Sequence, residues 1–263
     1  MRTLARGARR KVERGGFLPA VFLPLEQAGI RARRGTAMIV AAPPGHMKTA
    51  LVLYWIARLN LGTLYFSADA EDFEMTERAG AMVSGDTQRQ VQANPEKYAD
   101  LLEQLNIRLV YEDAPTYRDL ELEVAAYAEA HGKFPEVIVI DNLMNLVGEN
   151  DDEWGSMRDS TKAIHRLTRI TGAWMVVLHH MGEDKADQTK PQPRTKLQGK
   201  VSQLAKVVLS LAFDGDGELK VAPVKNRFGR GDASGSTYVS IYVRPEIHQF
   251  YNSRADLQMG RPA

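Results

Sequence analysis

The chain has 263 residues, 44% of them hydrophobic, and a formal net charge of +1. That length and apolar content suit one large α/β domain with a well-buried core. A near-zero charge excludes a globally basic polyanion binder, so nucleic-acid contact would have to come from local basic segments, and the lack of cysteine excludes disulfides, thiolate metal sites and a zinc-ribbon primase module. The opening MRTLARGARRKVERGG carries Arg2, Arg6, Arg9, Arg10, Lys11 and Arg14. It runs into the Pro-broken FLPAVFLPL and not into a signal-peptide core, which predicts a basic arm over 1–16 ahead of a domain over 17–263. Such an arm docks on a neighbour, touches DNA or stays a disordered tail. The apolar runs are of strand length, far short of a membrane span, so a soluble, cytoplasmic protein is expected.

From residue 36 onward short β-rich runs alternate with amphipathic stretches. Strands are predicted at 37–42, 63–67, 107–110, 137–140 and 173–178, with helices around 49–60, 71–83, 117–131 and 157–170. This βα order predicts a mostly parallel, twisted sheet with crossover helices. After residue 205 the runs VVLSLAF, ELKVAPV and STYVSIYV, separated by DGDG and GRGDASG, predict an antiparallel C-terminal β extension. The stretch 182–200, GEDKADQTKPQPRTKLQGK, has the charge and prolines of a mobile loop.

The first chemical signal is MIVAAPPGHMKTALVLYWIARL, a strand-like run, a Gly/Pro turn, and Lys-Thr opening a helix. In that context Pro44, Gly45, His46, Met47 and Ala50 shape a turn whose backbone N–H groups cradle phosphate. Lys48 neutralises the β/γ oxygens of ATP and Thr49 offers a hydroxyl to Mg²⁺. Ala42 and Met47 stand where the motif's two glycines belong, so Met47 has to fit where glycine allows close backbone approach. An ordinary αβ turn with an exposed lysine is the plainer alternative.

The run VIVIDNL puts Asp141 at the end of a buried strand, the place of a carboxylate aimed at the Mg²⁺ shell, with Asn142 next to it able to orient water. SADAEDFE supplies candidates for a general base, Asp69 first because it is nearer the strand's carboxyl end, and Glu71 second. The same acids also suit the first turn of a helix. WMVVLHHMGED ends a strand with two histidines, and alternation sends His179 to the core and His180 to the sheet's top edge, where it can bond a γ-phosphate or serve as a satisfied structural histidine. VAPVKNRFGRG places Lys225 and Arg227 on one face at a strand's end, as solvated cations or as a pair that meets a neighbour's phosphate. In 182–200, Lys185, Lys190, Arg194, Lys196 and Lys200 offer contacts to a single-stranded backbone, while Trp154 beside the acidic GENDDEWG either stacks on a base or packs its own helix start.

Taken in order, these motifs resemble the motor of DnaB-type ring helicases, RecA-like P-loop ATPases, in a reduced, phage-like form. PLEQAGIRARRGTAMIVAAPPGHMKTA resembles the family's approach to its P-loop, and YFSADAEDFEMTERAGAM the strand and helix that bear its catalytic glutamate. IDNLMNL, VVLHHM, LQGKVSQLAKVVLSL and KNRFG are similar to its Asp strand, sensor strand, post-loop segment and K-x-R-x-G finger. The resemblance, over about 20–245, implies ATP and Mg²⁺ held by Lys48, Thr49 and Asp141, His180 as sensor, and Lys225 with Arg227 acting in trans. It implies a ring, hexameric in the family, that translocates on single-stranded DNA during replication, with a separate primase or loader as possible partner. The family's glutamate falls on Asp69, one methylene shorter. A RecA-like recombinase or annealing ATPase, and a non-motor ATP-binding loader module, remain the alternatives.

Overall fold

The computed structural model describes residues 15–68, 70–147, 153–182, 189–197 and 201–263. The basic arm therefore lies outside the described residues except for Gly15 and Gly16, and so do Asp69, Lys185, Lys200 and the side chain of Trp154.

Helix α1 (Leu23–Gln27) leads into β1 (Ala37–Ala42), and α2 (Lys48–Leu59) follows directly after the Gly/Pro turn. Next come β2 (Thr63–Ser67), α3 (Asp72–Ser84), the short α4 (Gln88–Ala93) and α5 (Ala99–Glu103), then β3 (Ile107–Tyr111), α6 (Tyr117–His131) and β4 (Val137–Asp141). The long α7 (Glu153–Thr171) precedes β5 (Trp174–His180). The chain closes with β6 (Val207–Phe213), β7 (Glu218–Asn226), β8 (Val239–Arg244), β9 (Gln249–Tyr251) and α8 (Arg254–Met259).

Among the described residues the strands form one nine-stranded sheet in the order β3-β2-β4-β5-β1-β6-β7-β8-β9. Pairing is parallel from β3 through β6 and antiparallel from β6 to β9, the mixed architecture expected. Central strands in such a sheet are covered on both faces and read as continuous apolar runs, and β1, β2 and β4 are buried at every position. One face packs against α1, α2 and α3 through Phe22, Leu51, Trp55 and Met75. The other packs against α6 and α7 through Leu120, Val124, Ile164 and Leu167. Each fully buried Val or Ile of β1 contributes roughly 1.5–3 kcal/mol by leaving water.

Three differences from the sequence reading bear on the site. Strand β5 extends two residues past the expected end, so both histidines belong to it. The 88–103 region folds into short helices that the pattern did not announce, one opened by a capping box between Thr87 and Gln90. The 182–200 stretch, expected to be mobile, is pinned over 189–197. Gly182 N–H donates to Lys196 O at 2.9 Å, Arg194 N–H donates to Ala233 O at 2.9 Å, and Pro191 and Gln192 are buried. A charged, proline-bearing segment docks here because the β7–β8 connection gives its backbone groups partners.

Candidate functional site

The carboxyl ends of β1, β5 and β4 lie side by side, and this order sets the site. Because β5 runs between β4 and β1, its last residue, His180, falls between the turn after β1 and the end of β4. Ligands of open α/β sheets bind at this edge.

The turn itself holds the shape its sequence departs from. Met47 takes the left-handed conformation, φ 62°, at the N-cap of α2, and Gly45 does so at φ 79°. A non-glycine residue in that region costs about 1–2 kcal/mol, a cost offset where the Met47 side chain packs on the core. A Cβ on Gly45 would meet nothing within 4 Å, so the crest of the turn is open. His46 anchors the turn from below, its Nδ1 accepting the Phe213 N–H at 2.9 Å from the end of β6.

Lys48 is only 8% exposed. Its ammonium donates to Ala42 O at 3.1 Å and Pro43 O at 3.2 Å, beneath the turn, and lies 3.5 Å from His180 Nδ1. Thr49 Oγ1 donates to Asp141 Oδ2 at 2.8 Å. Asp141, 4% exposed, receives a second hydrogen bond on the same oxygen from the Tyr65 hydroxyl at 2.7 Å. Tyr65 is a site residue that motif reading missed. Its only signal was an aromatic facing away from solvent on the strand next to the acidic one. Burial, with the Asp141 carboxylate beside it second, pushes the Tyr65 hydroxyl well above its ordinary pKa, so it stays protonated and donates.

The peptide between Asp141 and Asn142 is cis. Asn142 Oδ1 accepts the Met144 N–H at 2.8 Å, which turns its Nδ2 toward His180 Nε2 at 3.2 Å. An amide nitrogen only donates, so Nε2 accepts and the ring proton sits on Nδ1. The His180 N–H is thereby directed to the side of the turn where Lys48 lies. His179, 2% exposed, faces the core, as alternation predicted.

A buried ammonium, an N–H donor and a hydroxyl bonded to a carboxylate, all around an open turn at a helix start, are the donor set that a nucleotide polyphosphate and a hard cation require. The residues present fit ATP and Mg²⁺, with Lys48 and the turn facing phosphate and Thr49 with Asp141 facing the metal. Glu71 lies exposed at the N-cap of α3, with no side-chain capping bond.

The predicted cation pair lies elsewhere. Lys225 stands opposite Val208, and Arg227 N–H donates to Lys206 O, at the amino end of the parallel strands. That is about 15 Å along the strand direction from Ala42. The Lys225 ammonium donates to Ser202 O beside Val201, on the sheet face packed by α6 and α7, whereas α2 covers the other face. Neither cation is gathered with Lys48. Lys190 and Lys196 lie on the pinned 189–197 segment.

Removal of the Tyr65 hydroxyl isolates one support of the carboxylate. Tyr65→Phe is expected to raise the Mg²⁺ concentration for half-maximal ATP turnover several-fold and to lower folding stability by about 1–2 kcal/mol. A magnesium titration of turnover, paired with a urea melt, checks both; an unchanged magnesium midpoint would mean that Thr49 alone orients Asp141.

A family model described as an AAA domain matches residues 28–186. The chain is 34% identical over 240 residues to the Gene 65 protein of Mycobacterium phage L5, covering 86% of this chain and 90% of the relative. To the Gene 65 protein of Mycobacterium phage D29 it is 32% identical over 217 residues, covering 78% and 94%. Among solved structures, a DnaB-like replicative helicase described with its interactions with primase superposes with TM-score 0.79 at 16% identity, over 94% of this chain and 67% of that one. A separate helicase-like ATPase domain superposes with TM-score 0.80 at 15% identity, over 95% and 97%. The fold is thus the RecA-like ATPase fold. No helix among the described residues is long and apolar enough to cross a membrane.

Proposed function

The chain belongs to the AAA-domain family, and from that premise we propose that it is an ATP hydrolase which translocates on single-stranded DNA as the motor of a DnaB-type ring helicase. One observation carries the reading: phosphate- and metal-binding groups converge at one end of the sheet, while the cations that a phosphoryl-transfer site also needs stand at the other end, out of reach of their own copy's turn. A nucleotide held at the first end of one copy and met by the second end of the next makes a site between subunits, in a homo-oligomeric ring, hexameric by resemblance.

In this site Lys48 and the backbone of 43–48 bind and orient the β- and γ-phosphates. Thr49 and Asp141 hold Mg²⁺, which when bound draws charge from the phosphoryl oxygens. His180 donates Nδ1–H to a γ-phosphate oxygen and, through β5 and the segment after it, reports loss of that phosphate to 182–200. A carboxylate from the 69–71 region, Asp69 or Glu71, takes the proton of the attacking water. Arg227, with Lys225, stabilises the transferring group from the neighbouring copy. Lys185, Lys190, Lys196 and Lys200 follow the DNA backbone, and the protein works in the host cytoplasm, with a separate primase or loader as partner.

The test is steady-state ATP hydrolysis with and without single-stranded DNA, alongside mass determination with nucleotide present. Strong stimulation and a closed ring are expected. An unstimulated monomer would overturn the motor and leave a non-motor ATP-binding module.

A further inference from the structure

Arg194 comes from a different part of the chain than the K-x-R pair, yet the fold brings it to the same edge. Asp232 N–H donates to Pro223 O at 2.9 Å, and Arg194 N–H donates to Ala233 O at 2.9 Å. Gly231 packs so closely on the end of β7 that a Cβ there would sit 2.8 Å from Asn226 N, and one on Gly235 would sit 2.8 Å from Pro191 O. The 189–197 segment and the connection after Arg227 therefore form one packed unit. Lys206 joins them from the start of β6, its N–H on Ala37 O at 2.9 Å and its carbonyl accepting Arg227 N–H at 3.0 Å.

Arg194, Lys206 and Arg227 are exposed, and Lys225 is half-buried. Among the described residues no carboxylate forms an ion pair with any of the four. Burial, and after it the nearby Arg227, Arg194 and Lys206, push the Lys225 ammonium below its ordinary pKa. Like charges gathered without a counter-charge repel one another, and a polyanion arriving among them relieves that repulsion. Phe228, the aromatic beside Arg227, is occupied edge-on with Phe17 at 5.8 Å and is not offered for base stacking. A polyphosphate suits the cluster better than a single strand, whose bases seek aromatic platforms.

We propose that Arg194 and Lys206 complete, with Lys225 and Arg227, a four-cation seat for the triphosphate of a nucleotide bound to a neighbouring copy. The seat rests on the intersubunit reading above and adds two phosphate-binding residues that the K-x-R motif does not contain. Arg194 then ties the strength of the neighbour's nucleotide contact to the same segment that carries Lys190 and Lys196.

The experiment is ATP turnover against ATP concentration for wild type, Arg194→Gln, Lys206→Gln and Arg194→Lys, with single-stranded DNA affinity measured in parallel in a non-hydrolysed ATP analogue. Each Gln variant is expected to raise the KM for ATP roughly tenfold and to leave DNA affinity unchanged, with Arg194→Lys recovering part of the loss. A wild-type ring stimulated by DNA, together with unchanged KM in both Gln variants, overturns the seat alone. Weakened DNA binding at unchanged KM also overturns it and gives these cations to the DNA backbone. A wild type that turns over as a monomer overturns both the seat and the ring on which it rests.

Discussion

Arg227→Ala is expected to leave nucleotide binding near its original strength and to reduce ATP turnover by about 10³-fold or more, the scale on which a trans-acting arginine stabilises a transferring phosphoryl group. The reason is positional. Arg227 is exposed at the amino end of the strands, its backbone tied to Lys206, and its own turn lies at the far end of β1 on the face covered by α2. Losing it removes nothing from the ground-state cradle of the same copy, and it is a surface residue whose loss should barely move the unfolding midpoint. Equilibrium binding of a fluorescent ATP analogue beside steady-state turnover separates the two effects. Full turnover in the variant would sink the trans role.

Lys48→Ala is expected to lower ATP turnover below detection, at least about a hundredfold, and to weaken binding as well. Here the cation is inside the cradle, nearly buried, on the carbonyls of Ala42 and Pro43 and beside His180. The two variants fail for opposite reasons, which gives a decisive mixture. Lys48→Ala copies retain an intact Arg227, and Arg227→Ala copies retain an intact turn. If sites form between copies, mixing two inactive preparations restores a measurable part of the turnover, whereas sites built within one copy give none. Retained turnover in Lys48→Ala alone would mean that the turn is an ordinary αβ connection.

Much of this could be read before any coordinates. The run from Ala37 to Leu59 announces strand, turn and helix by composition alone, because a central parallel strand must be apolar throughout and a phosphate turn must break it with Gly and Pro. VIVID and WMVVLHH do the same for β4 and β5. The antiparallel extension was legible from DGDG and GRGDASG, since tight turns demand residues that tolerate their backbone angles.

Other features depend on contacts between segments far apart in the chain, about which local pattern is silent. Tyr65 reads as one more core aromatic until β2 is laid beside β4 and its hydroxyl reaches Asp141. Met47 reads as a defect until the turn is seen to keep its left-handed backbone with a methionine there. Arg194 reads as one cation of a mobile loop until Ala233 fixes its backbone beside the end of β7. By itself the sequence determined the strands, the turn and the chemical types of the site residues, because burial periodicity and turn chemistry are local. Only the tertiary structure decided the strand order that sets His180 between Lys48 and Asn142 and sends Lys225 and Arg227 to the opposite edge, because strand order follows from how the two faces of the sheet are covered.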